Sequence, residues 1–120
     1  MHEQVKGFDQ IHSKSITASS TVNLFSVTVS SNLFLVITHF ANMVNDVAAL
    51  GNLTWQVKVN GSPRPPLDSV LDQYGDISQP YVLAERIYVP ASSIISVDVV
   101  NSDTSAYDAG VLLKGQYFSN

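Results

Sequence analysis

The chain has 120 residues, a length typical of one domain, and only 13% of them are charged, against about 25% in an average globular protein. It contains no cysteine, which excludes a disulfide framework and thiolate chemistry. Its six Lys and Arg residues are dispersed and its formal net charge is −4, which argues against nucleic-acid binding. A charge content this low is typical of a protein whose surface is partly covered by partners.

The first residues, Met1 to Gln4, lack the basic and apolar layout of a signal peptide, and no apolar run reaches the roughly 20 residues that span a membrane. We therefore expect a soluble, unprocessed chain. Residues 1–14 do not alternate cleanly between apolar and polar positions, and they are predicted to form an N-terminal arm or peripheral strand. Residues 15–120 are predicted to form a single domain.

Strand signals recur through this domain, separated by short polar breaks. The clearest is the segment around Trp55, where every second residue is apolar and the Asn60-Gly61 pair that follows favours a hairpin turn. The pattern predicts an antiparallel β-sandwich of jelly-roll type, all-β, with seven or eight strands and at most one or two short helices. The segments predicted to be strands are 21–29, 33–38, 53–60, 82–89, 94–100 and 109–118.

Two segments have apolar residues at helical spacing. Residues 67–74 are predicted to form a short helix, which Gly75 can end. Residues 40–50 have similar spacing but are rich in Asn, so a helix and an ordered loop both remain open. The run from Pro63 to Pro66 cannot donate a regular hydrogen-bond ladder, and we expect it at a sheet edge or in a covering segment.

No motif in the chain predicts catalysis, a cofactor or a metal site. The histidines His2, His12 and His39 do not have metal-ligand spacing, and the serines lie in no known nucleophile motif. Asp68, Asp72 and Asp76 could hold Ca²⁺, but a solvated helix face explains them more simply. We expect no enzyme, although a pair of carboxylates that meets only in space cannot be read from sequence.

Several features predict contacts outside the domain. Segments 94–100 and 111–113 are apolar on both faces, whereas a two-layer sandwich buries only one face of each strand, so an oligomer is expected. Glu85 and Arg86 interrupt an apolar strand and form either a sheet-edge pair or a salt bridge between subunits. The candidate interface residues are Val5, Phe8, Ile11, Pro63, Arg64, Pro65, Pro66, Glu85 and Arg86.

Three stretches carry a family resemblance: 53–61 (LTWQVKVNG), 87–90 (IYVP) and 107–118 (YDAGVLLKGQYF). Together they resemble small jelly-roll virion proteins of tailed phages. The resemblance covers about residues 50 to 118 and carries over no functional residue. It implies a capsid decoration (cement) protein, usually a homotrimer, that binds the major capsid protein or another virion protein on the capsid exterior after assembly in the host cytoplasm. A carbohydrate- or receptor-binding module of a phage spike or fibre is the alternative.

Overall fold

The structure is a computed structural model, and it describes residues 3–120. Within this range the chain forms eight β-strands and one short 3₁₀ helix, Val47–Ala49, so the prediction of an all-β chain is confirmed. In chain order the strands are β1 (Gln4–Ile16), β2 (Thr21–Thr28), β3 (Leu33–Val44), β4 (Leu53–Val59), β5 (Ser62–Pro63), β6 (Tyr81–Val89), β7 (Ile94–Asn101) and β8 (Tyr107–Ser119).

The strands pair into two antiparallel sheets of four strands each. Sheet A has the order β1-β8-β3-β6, and sheet B has the order β2-β7-β4-β5. In sheet A, β1 pairs with β8 along almost its whole length, from Gln4 opposite Phe118 to Ile16 opposite Tyr107. The first and last strands of the chain are therefore neighbours.

The buried side chains of the two sheets form one hydrophobic core. Strand β4 shows why: its alternate residues Leu53, Trp55, Val57 and Val59 are all at most 1% exposed, as the period of two predicts. The Trp55 indole Nε1 donates a hydrogen bond of 3.0 Å to the Gly110 carbonyl on β8, which links the two sheets inside the core.

The hairpin predicted at Asn60-Gly61 is confirmed, since both residues have positive φ, 52° and 82°, and the chain turns back into β5. The helix predicted over residues 67–74 is wrong. This segment follows the edge of β4, where the Leu67 carbonyl accepts from the Val57 amide, and Val70 exchanges two backbone hydrogen bonds with Trp55. Leu67 and Val70 are buried against the core, so this irregular segment has apolar residues at the spacing that is typical of a helix.

Residues 40–50, which the sequence left open between helix and loop, continue β3 to Val44 and then form the 3₁₀ helix. Within this stretch Asn42 is fully buried. Its side-chain amide donates to the Asp72 carbonyl at 2.9 Å, and its side-chain oxygen accepts from the Tyr74 amide at 2.7 Å. Asn42 therefore ties the irregular segment after β5 to sheet A.

Candidate interaction surface

The face of sheet A that points away from the core, which we call its outer face, has an apolar patch across its middle, next to the charged residues Asp9 and Lys114. At the middle of this face Ile11 on β1, Leu112 on β8 and Ala41 on β3 lie side by side in register. Leu112 is 2% exposed and Ala41 is fully buried, yet neither belongs to the core cluster between the sheets. Ile11 remains 52% exposed. The centre of the outer face is thus a tightly packed apolar floor with an exposed aliphatic side chain at its edge.

Aromatic rings extend the outer face toward one end of the sheet. Phe34 on β3 stacks on Phe118 of β8 at a centroid distance of 5.3 Å, and Tyr88 on β6 lies 5.3 Å from Phe34. Tyr88 is 53% exposed, and Val82, which lies opposite His39 on the same strand pair, is 65% exposed. At the other end, Met43 and Gly110 help to line a shallow hollow of about 290 Å³.

Sheet B has the opposite character, because its outer face is polar. Lys58 on β4 and Asp98 on β7 form a 2.9 Å salt bridge there, the single ion pair among residues 3–120. The outer face of β7 carries Ser96 and Asp98 between its apolar ends, Ile94 and Val100. The outer side of β7 is therefore mixed in polarity, whereas β8 carries the apolar Leu112 at the centre of its outer side.

Three of the candidate interface residues lie on β1. Val5 and Ile11 are both about half exposed, whereas Phe8 is 3% exposed and its ring packs edge to face against Tyr117 at 5.7 Å. Phe8 thus lies in the core of the isolated chain. Met1 and His2, the first residues of the predicted arm, lie outside the described residues.

The other candidates lie at the opposite edges of the two sheets. Residues 63–66 are exposed beside β4, at the edge of sheet B. Glu85 and Arg86 are exposed on β6, the edge strand of sheet A, where the pairing with β3 is irregular between Ile37 and His39. The structure therefore divides the predicted interface among three separate places, and of the residues at the apolar centre of sheet A only Ile11 was among the candidates.

The sequence nevertheless held a signal for this surface. Segment 33–38, within β3, and segment 111–113, within β8, are apolar on both faces, and these two strands lie next to each other in the middle of sheet A. Apolar residues on both faces indicate that both faces are covered. What the sequence did not show is that the two strands are neighbours.

The described part of the chain contains no group of three or more His, Asp or Glu side chains that could hold a metal ion. Of the three aspartates considered for Ca²⁺, Asp76 accepts hydrogen bonds from the Ser78 hydroxyl and the Gln79 amide, and these lower the pKa of its carboxyl. Within residues 3–120 no helix is long and apolar enough to cross a membrane.

Comparison of the chain with models of known protein families and with curated protein sequences finds no match. The outer face of sheet A is the feature of the molecule on which a proposal of function can rest.

Proposed function

We propose that the protein is a viral structural protein, a capsid decoration (cement) protein that stabilises a phage head by oligomeric packing on the capsid surface. The apolar patch on the outer face of sheet A carries this proposal. An exposed apolar patch on a sheet is suited to burial against a partner, while the polar outer face of sheet B is suited to water. The low charge content and the resemblance to small virion proteins of tailed phages support the same role, which needs no catalytic group.

We further propose that the fold is a β-sandwich of the jelly-roll type. The pairing of the strands supports this, since β1–β8, β2–β7, β3–β6 and β4–β5 are all neighbours in the two sheets. These pairs nest inside one another, as they would in one long hairpin rolled up into two layers. Jelly rolls with eight strands are found in viral capsid proteins and in lectins, so the arrangement suits a virion protein.

The proposed assembly uses two surfaces. Copies of the chain pack on one another, in the trimer that the resemblance implies, while the exposed residues 63–66 contact the major capsid protein or another virion protein. The position of these residues supports the division of roles, because they lie at the edge of sheet B, away from the outer face of sheet A. The assembly would sit on the capsid exterior.

Capsid binding tests this function. The purified protein should bind expanded capsids of the phage that encodes it and raise their melting temperature in calorimetry. Arg64→Glu should weaken this binding, whereas Lys14→Glu, which also replaces a basic side chain by an acidic one but on β1 of the other sheet, should leave it intact. A protein that has no affinity for these capsids contradicts the decoration role.

One observation favours a second function, a carbohydrate- or receptor-binding module of a spike or fibre. The cluster of Phe34, Phe118 and Tyr88 presents aromatic rings on the outer face of sheet A, and Tyr88 is exposed enough to stack on a sugar. A glycan array should then give hits that Tyr88→Ala removes. An array with no hits contradicts this second function.

A further inference from the structure

We propose that a second copy of this chain covers the outer face of sheet A. The inference deepens the proposed function, on which it rests for the role of the assembly, by naming the residues through which the copies pack.

The size of the face suits a second copy. Strands β1 and β8 each have 13 residues, so with a rise of about 3.3 Å per residue they are about 40 Å long. Four strands spaced about 4.8 Å apart make the sheet about 19 Å wide, and its face therefore measures on the order of 800 Å². This equals the area of about 800 Å² that each partner buries in a stable interface of standard size.

The exposed apolar side chains span the whole face. Ile11 lies on β1 and Val82 on β6, the two edge strands of sheet A, and they are 52% and 65% exposed. Tyr88 is also on β6 and is 53% exposed. A partner that covers all three must extend across all four strands, as another sheet of the same width does.

The middle of the face carries one acidic and one basic residue, so its charges can pair with those of a second copy. Asp9 on β1 and Lys114 on β8 lie opposite each other in register, and by alternation both project from the outer face. They form no ion pair with each other, since the single salt bridge within residues 3–120 is that of Lys58 with Asp98. In a pair of copies Asp9 of one can meet Lys114 of the other. A strongly acidic or strongly basic partner would find no matching net charge here.

Two copies can pack face to face, as sheets do at a spacing of about 10 Å, or three copies can turn this face toward a common axis. Both arrangements are self-association through the same residues. The trimer implied by the resemblance corresponds to the second.

The mass of the protein in solution tests the inference. By sedimentation velocity at micromolar concentration, the wild type should have two or three times the chain mass of 13.0 kDa. The variant Ile11→Lys with Val82→Lys should associate at least about 30-fold more weakly, since burying charge at an interface anchor costs roughly 2 kcal/mol or more. The matched control Ile77→Lys with Ile94→Lys replaces two exposed isoleucines outside this face and should keep the wild-type mass.

Circular dichroism and thermal melting verify that both variants are folded. A monomeric wild type, or equal dissociation of the control, overturns the inference. A charge exchange provides a second test that leaves the apolar groups intact: Lys114→Asp should weaken association, and Asp9→Lys combined with Lys114→Asp should restore it. A combined variant as weak as Lys114→Asp contradicts the pairing of this face with itself.

These results are separable from those on the decoration role. An intact oligomer without capsid affinity contradicts only the proposed function, whereas a monomer that still binds capsids contradicts only this inference.

Discussion

Single buried polar side chains connect parts of this chain that are far apart in sequence. Asn101 is 1% exposed, and its side-chain amide donates to the Ile16, Thr17 and Ser105 carbonyls, so it holds the turn after β1 against the end of β7. Asn42 does the same for the segment after β5. No buried side-chain nitrogen or oxygen in residues 3–120 lacks a hydrogen-bond partner. A polar group that is buried without a hydrogen-bond partner destabilises the fold. Asn42 and Asn101 therefore each favour the one loop arrangement that supplies their partners.

Trp55→Phe tests a hydrogen bond that crosses the core. The change removes the indole donor, leaves the Gly110 carbonyl without that partner and creates a small cavity, so we expect a loss of about 2–4 kcal/mol in the free energy of unfolding. Urea unfolding followed by far-UV circular dichroism measures it, since the tryptophan fluorescence signal is lost with the only tryptophan. The control Thr54→Ala, on the outer side of β4, should change stability much less. Equal effects of the two substitutions would contradict the assigned role of Trp55.

At the scale of the elements, the sequence predicted the strands in which buried and exposed residues alternate along the chain. Strand β4 buries every second residue, so its alternation was visible before its neighbours were known. The helix predicted over 67–74 failed because an irregular segment on the edge of β4 buries the same positions, Leu67 and Val70, as a helix would. The outer face of sheet A was hidden for a related reason. It depends on the pairing of β3 with β8, such as Phe34 opposite Phe118, which local sequence does not encode.

The β3–β8 pairing depends on a close approach at Gly115. A Cβ atom at this position would lie 2.2 Å from the Val36 carbonyl oxygen and 3.0 Å from the Ile37 Cα, both backbone atoms that cannot move aside. Gly115→Ala should therefore lower the free energy of unfolding by roughly 1–3 kcal/mol, the usual cost of overpacking. Gly7→Ala is the matched control, because a Cβ there meets nothing within 4 Å. Chemical denaturation of both variants measures the difference, and a stable Gly115→Ala protein would show that the two strands pair more loosely.

At the scale of the whole molecule, the first and last strands of the described chain are paired neighbours in sheet A. Residues 4–14, assigned by the sequence to an arm or peripheral strand, lie in β1 on the edge of sheet A. Phe8 anchors them in the core, and the Lys14 ammonium donates to the Asn23 carbonyl of β2 in the other sheet. This segment therefore covers the side of the core and also hides the edge of β8.

Deletion of residues 1–9 tests whether this segment is needed for folding. It removes Phe8 from the core and uncovers about half of the edge of β8, so we expect a loss of at least about 3 kcal/mol and a tendency to aggregate. Thermal melting and light scattering measure the two effects. Deletion of residues 1–3, which stops short of β1, serves as the control. If the longer deletion melted at the wild-type temperature, the segment would be a detachable arm.

The pairing of β1 with β8 also brings the two ends of the described chain to one corner of the molecule. The Ser119 amide donates to the Glu3 carbonyl at 2.8 Å, and the Glu3 amide donates to the Ser119 hydroxyl at 3.0 Å. A short linker could therefore join the two ends, with new termini opened in the exposed turn at residues 76–79. In such a circular permutant the first and last strands would become one hairpin. Peptides fused to the two ends of this unpermuted chain would instead emerge side by side.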